Sequence, residues 1–149
     1  MNHPNTEYAF RPIGVVYSCF KEKFGIPLQP GLAPDARAEL ELLPPCNRSE
    51  AVRSLSRFSH VWILFVFHVA SLGNAGKITV RPPRLGGNQR VGVFATRSSF
   101  RPNPIGPSVV RLKSILQKKS RLFLLLDGVD LLDGTPVREN SSATLMKRP

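Results

Sequence analysis

Proline and glycine cut this chain into pieces too short for most architectures. The 149 residues hold 14 Pro and 11 Gly, and these lie mostly between short runs rich in Val, Ile, Leu and Phe. The runs are Arg11–Ser18, Ala38–Leu43, His60–Val69, Ile78–Val80, Val91–Ala95, Ser108–Leu116 and Arg121–Leu126. AELELL (38–43) alternates as a half-exposed strand should, whereas HVWILFVFHV (60–69) is almost continuous and predicts a strand buried on both faces, or nearly so. Placed between such runs, proline and glycine set turns rather than interrupt ladders. Asn47 or Ser49 stands where a side-chain oxygen caps a short helix over EAVRSL. The class this predicts is mainly β: a single closed or nearly closed β-barrel with long Pro/Gly loops and a short helix. The barrel is expected over residues 10–137, after a flexible leader (1–9) and before a frayed polar tail (138–149, RENSSATLMKRP).

Several function classes drop out. The longest apolar run, Val61 to Phe67, is seven residues, against the ~20 a spanning helix needs. MNHPNTEYAF has no apolar stretch of signal-peptide type. The reading is a soluble cytoplasmic domain with Cys19 and Cys46 as reduced thiols. A GxGxxG after a strand and a GxxxxGK[ST] are both missing, so neither a Rossmann nucleotide site nor a P-loop is supported. His60 and His68, eight residues apart on one apolar run, share a face by strand parity. Without further ligands they read as core-edge histidines, and no metal site is expected.

Charge is more informative. Lys and Arg number 21 against 10 Asp and Glu, a net charge of +11. Its distribution is uneven: from Ala51 to Leu126 there is no acidic residue at all. A basic solvated face is one reading; a footprint for a polyanion, nucleic acid first, is the sharper one. Three loops carry stiff, polar sequences. FATRSSFRPNPIG (94–106) combines two arginines, an asparagine and two prolines; VRPPRLGGNQR (80–90) sets three arginines around Pro-Pro and Gly-Gly; GIPLQPGL (25–32) brackets a glutamine with prolines. Arginine forks bind phosphate bidentately, and proline reduces the entropy lost on ordering the loop that carries them. Asp130 and Asp133 in DLLDGTP are closely spaced carboxylates in a chain short of them. They stabilise a strand-ending turn, or form an acidic wall for a ligand hydroxyl or ammonium.

Together with KEKFGIPLQPGL and FSHVWILFVFH, the segments VRPPRLGGN, GVFATRSSFRPNPIG and DLLDGTP resemble the TrmO family, the tRNA adenosine-37 N6-methyltransferases, from about Phe10 to Val137. The resemblance implies a homodimeric, S-adenosylmethionine-dependent enzyme on a β-barrel. It would act on N6 of threonylcarbamoyl-adenosine at position 37 of threonine tRNA. The cofactor residues it implies are Pro30, Gly31, Leu32, His68, Val69, Arg97, Pro107, Asp130, Leu131, Leu132 and Asp133. Leu28 stands where the family commonly has arginine. After DGTPV the family continues with a DIKPY-like segment and often a smaller C-terminal domain, so the chain reads as shortened there.

In-line methyl transfer requires nucleophile, methyl carbon and sulfur to be held nearly collinear. The N6 lone pair of such a base is delocalised, so donors to the carbamoyl oxygen would help. Arg101 and Asn103 are the catalytic candidates for that role by their chemistry. Arg97 or Arg101 would suit the threonyl carboxylate, and Arg81, Arg84, Arg90 and Arg101 would contact tRNA. The alternative is a non-catalytic RNA- or S-adenosylmethionine-binding barrel that has lost activity with its C-terminal segment.

Overall fold

The computed structural model describes residues 7–21, 35–68, 78–82 and 86–142, the last four by backbone. Among these residues eight strands form: β1 (Gly14–Ser18), β2 (Arg37–Leu42), β3 (His60–Val66), β4 (Thr79–Val80), β5 (Val91–Gly92), β6 (Ile105–Lys118), β7 (Arg121–Asp127) and β8 (Pro136–Ser142). Six of them close a barrel in the order β1-β2-β7-β6-β3-β8, while β4 and β5 pair as a separate ribbon. Every barrel pairing is antiparallel. Closure leaves the barrel without an unpaired edge strand.

Period-two alternation fills the interior. Val16, Ala38, Leu40, Leu42, Val61, Ile63, Phe65, Val110, Leu112, Leu122, Leu124, Leu126 and Val137 point inward and are at most 5% exposed. Each fully buried Leu, Ile or Val stabilises the fold by about 1.5–3 kcal/mol. Gly106 belongs to the same inward row. A Cβ there would stand 2.7 Å from both Phe65 and Phe67, whose rings meet edge-on with centroids 5.0 Å apart. Glycine is what lets that aromatic pair seat beside β6.

Three expectations need correction. The apolar run of β3 is not buried on both faces: Trp62 and Leu64 face outward, 36% and 38% exposed, because one face of a barrel strand always meets the outside. Residues 138–142 are not tail but the continuation of β8, whose backbone pairs with β3 from Val61↔Ser142 to Phe65↔Val137. Ladder bonds there replace the apolar side chains that would otherwise announce a strand. The helical segment forms as two 3-10 turns, Ser49–Val52 and Leu55–Arg57, and the first has Arg48 at its N-cap with no side-chain capping bond. Asn47 instead donates from Nδ2 to the Ser120 carbonyl at 3.2 Å. It ties this segment to the β6–β7 turn. Among the described residues no helix is long and apolar enough to cross a membrane.

The antiparallel order has a consequence for function. β1, β3 and β7 end at one mouth of the barrel, where β2, β6 and β8 begin. The connections 19–36, 67–104 and 128–135 therefore all join strand ends at that mouth.

Candidate functional site

The 128–135 connection crosses the mouth and is stitched to it. Gly128 N–H donates to the Ala36 carbonyl at 2.9 Å, Asp133 N–H to Phe20 at 2.8 Å and Gly134 N–H to Val16 at 2.8 Å. Gly134 holds φ +79°, a turn conformation open to glycine without strain. Val129 and Leu131 are 0% and 1% exposed and plug the barrel end. The Ser18 hydroxyl donates to the Leu131 carbonyl at 2.7 Å, and Thr135 Oγ1 donates to the Leu132 carbonyl at 2.6 Å.

The two carboxylates of this segment point to different partners. Asp133 accepts from the Ser18 backbone N–H at 2.8 Å and pairs with Lys21 Nζ at 2.9 Å. Its carboxyl is held below the usual range, chiefly by the Lys21 hydrogen bond and then by the Ser18 N–H. Asp130 is turned inward, with a side chain only 6% exposed. Burial pushes its carboxyl up, while a hydrogen bond from Ser108 and the charge of Arg97 act against that rise. The Ser108 hydroxyl donates to Asp130 Oδ1 at 2.8 Å, and Arg97 Nη2 stands 3.7 Å from Asp130 Oδ2.

Arg97 is brought there by its own loop. A 3-10 turn, Val93–Ala95, precedes it, anchored by Val93 N–H on the Ile78 carbonyl at 3.0 Å. The hydroxyls of Thr96 and Ser98 then brace the backbone, accepting from Ser98 N–H at 3.2 Å and Phe100 N–H at 3.1 Å. Arg97 Nη2 donates to the Pro107 carbonyl at 2.5 Å. That carbonyl is available for a structural reason. β3–β6 hydrogen bonds join Phe67 to Pro104 and Leu112 to Ser59, so in an unbroken register Pro107 and Leu64 form a non-hydrogen-bonded pair. Pro107 thus sacrifices no ladder donor, and its carbonyl faces away from β3. β7 does not cover it, since its pairing with β6 begins at Arg111.

Arg101 and Asn103 sit on the same loop. Arg101 Nη1 lies 3.5 Å from the Thr96 carbonyl, and its guanidinium is 5.9 Å from the ring centre of Phe94, which is 82% exposed. Asn103 accepts the Ile105 N–H at 2.7 Å through its backbone carbonyl. It also lines a cleft of about 320 Å³ with Tyr8, Phe10, Val66, Ile105 and Arg138. Arg81 and Arg90 are exposed and stand just after β4 and just before β5 of the ribbon, whose register is Thr79↔Gly92 and Val80↔Val91. His68 follows β3 at the mouth, its N–H on the Val66 carbonyl at 2.9 Å. His60 sits at the other end of β3, with Nδ1 2.9 Å from the Ser59 hydroxyl. The shared face read from the sequence does not exist, because β3 stops at Val66.

The mouth thus brings together Arg97, Pro107 and Asp130, with Leu131 and Leu132 on the plugging segment. Asp133 is directed to Lys21 instead. Pro30, Gly31, Leu32, Val69 and Arg84 lie outside the described residues. Ser108 and Ser18 were missed by the reading of the sequence. Their signal was parity: each is a hydroxyl at an inward position of its strand, where buried polar groups require partners. Among the described residues no group of three or more His, Cys, Asp or Glu could hold a metal, and Cys19 and Cys46 are free thiols.

Comparison with known proteins places these features in a family. Residues 15–139 match the model for the tRNA-methyltransferase O N-terminal domain. The chain is 56% identical over 132 residues to the tRNA (adenine(37)-N6)-methyltransferase of Escherichia coli K12, covering 89% of this chain and 56% of that protein. It is 57% identical over 130 residues to a Pseudomonas aeruginosa PAO1 protein whose name assigns it provisionally to the S-adenosylmethionine-dependent methyltransferases, covering 87% and 54%. The crystal structure of TrmO from Pseudomonas aeruginosa superposes with a TM-score of 0.74 at 45% identity, covering 96% of this chain and 57% of that one. The chain spans a little over half the length of these relatives. With all but the outermost residues of its six-stranded barrel inside the matched region, it belongs to the family of the tRNA-methyltransferase O N-terminal domain.

Proposed function

We propose that the chain is an S-adenosylmethionine-dependent methyltransferase acting on N6 of threonylcarbamoyl-adenosine at position 37 of threonine tRNA, as a cytoplasmic homodimer. One observation carries this reading: a buried carboxylate, Asp130, and a tethered arginine, Arg97, stand together at one barrel mouth. The donor set suits the cofactor. Asp130 offers a carboxylate for an ammonium or ribose hydroxyls, Arg97 a guanidinium for a carboxylate, and Leu132 apolar surface. The cofactor, when bound, supplies an electrophilic methyl group. The protein's share is positioning and exclusion of water.

Arg97 is held on the cofactor side of the mouth by Pro107, Ser108 and Asp130. The threonyl carboxylate of the modified base therefore falls to Arg101, and Asn103 donates to the carbamoyl oxygen as charge develops there. Phe94, exposed beside Arg101, offers a face on which an anticodon-loop base can stack. Arg81 and Arg90, exposed at the end of the β4–β5 ribbon, suit an RNA phosphate. Arg84, Pro30–Leu32, His68 and Val69 complete the contacts that family membership supports.

The test is methyl transfer from labelled S-adenosylmethionine to threonylcarbamoylated threonine tRNA, with nucleosides resolved by mass spectrometry. The reading expects a methyl group on N6 of the modified adenosine. A folded chain that binds the cofactor yet yields no product would overturn it in favour of a binding barrel without turnover.

A further inference from the structure

Ser108 is 1% exposed and sits at an inward position of β6, near the strand's mouth end. A hydroxyl in such a place usually finds a local backbone acceptor. This one reaches another loop, 22 residues away in sequence, and gives its proton to Asp130 Oδ1 at 2.8 Å. Its oxygen also accepts from Arg97 Nη2 at 3.4 Å. One buried oxygen therefore touches both charged groups, while the guanidinium and carboxylate are 3.7 Å apart, beyond direct hydrogen-bond reach.

We propose that Ser108 is a positioning residue: it fixes the rotation of the Asp130 carboxylate and keeps Arg97 beside it, so that both meet a ligand entering the mouth. This deepens the reading of the mouth as a cofactor pocket and rests on it. A carboxylate with a 6% exposed side chain is strongly desolvated, and desolvation favours its neutral form. The Ser108 hydrogen bond is the first influence that opposes this, and the Arg97 charge is the next. Among the described residues Arg97 is the ionisable group acting on Asp130; Asp133, on the same segment, is turned to Lys21. The hydroxyl thus holds Asp130 in orientation and favours its charged form against burial.

The first measurement needs no ligand. Carbon-13 carboxyl titrations of the full chain would compare the parent with Ser108→Ala, using Asp133 as internal control. The Asp130 midpoint is expected to rise in the variant while Asp133 stays in place. Ser108→Cys keeps the size and weakens the hydrogen bond, and replaces the alanine variant should that fail to fold. Titration of S-adenosylhomocysteine is then expected to show roughly tenfold weaker binding in Ser108→Ala, and no additional loss when Ser108→Ala is combined with Asp130→Asn. An unchanged Asp130 midpoint, or an equal loss on both backgrounds, would overturn the proposal. A raised midpoint in a chain whose parent binds no S-adenosylhomocysteine would uphold the positioning and overturn the reading of the mouth as a cofactor pocket.

Discussion

At the end of the barrel away from the mouth, Arg121 folds back on Glu41 and lies 5.0 Å over the Phe123 ring, with its side chain 58% exposed. At the mouth, Arg97 reaches a carboxylate whose side chain is 6% exposed and which already holds a serine hydroxyl. The same two kinds of residue give opposite electrostatics. Glu41 is held below the usual carboxylate range, first by its hydrogen bond from Arg121, whereas burial drives Asp130 above it. A carboxylate paired at the surface, with its arginine in solvent and its own side chain 15% exposed, is charged at little cost, and the pair contributes little. A carboxylate kept dry is costly to the fold, and that cost is typical of a site organised for a ligand.

The contrast can be broken from either side. The largest effect is expected from Leu124→Ala in the shared interior, where the residue is fully buried. It should lose about 2–5 kcal/mol in denaturant unfolding and take both ends of the barrel with it.

Asp130→Asn should instead separate function from stability. Because the folded carboxyl lies above its unfolded value, its contribution to stability is full below the unfolded value. That contribution fades as pH rises through the folded one. At neutral pH the variant should therefore melt at the parent's temperature or slightly higher, while calorimetry shows S-adenosylhomocysteine binding weakened roughly 30-fold, about 2 kcal/mol.

Asp133→Ala sharpens the comparison within one segment. Here the folded carboxyl lies below its unfolded value, so its stabilisation is present above the unfolded value and lost as pH falls through the folded one. The variant should lose about 1 kcal/mol at neutral pH with the Ser18 contact, and the difference should close on acidification in thermal melts. The smallest effect belongs to Arg121→Ala, which should leave the melting temperature within a degree or so and binding untouched.

Most of the barrel was legible because its strands alternate or run apolar between Pro and Gly. β8 was not. RENSS has no apolar periodicity, and only pairing with β1 and β3, which are far away in sequence, makes it a strand. The outward exposure of Trp62 and Leu64 was hidden for a related reason: a run such as VWILFVF reads the same whether its second face meets protein or the outside. At the site, Arg97, Pro107 and Asp130 could be carried over from the family resemblance, and the structure brings them together. Which of the two aspartates turns inward was not legible, since DLLD treats them alike and only Lys21 and the Ser18 N–H distinguish them. Ser108 and Ser18 were readable in principle, once β6 and β1 are assigned an inward parity, as hydroxyls among Val and Leu.

In the function proposed above, the ligand enters at the mouth and the far end of the barrel is scaffold. Isothermal titration calorimetry of S-adenosylhomocysteine into the parent, Arg97→Ala and Arg121→Ala tests it in one experiment. One site is expected in the parent, with the same affinity in Arg121→Ala and a loss of tenfold or more in Arg97→Ala. Equal affinity in all three, or an equal loss in both variants, would contradict it.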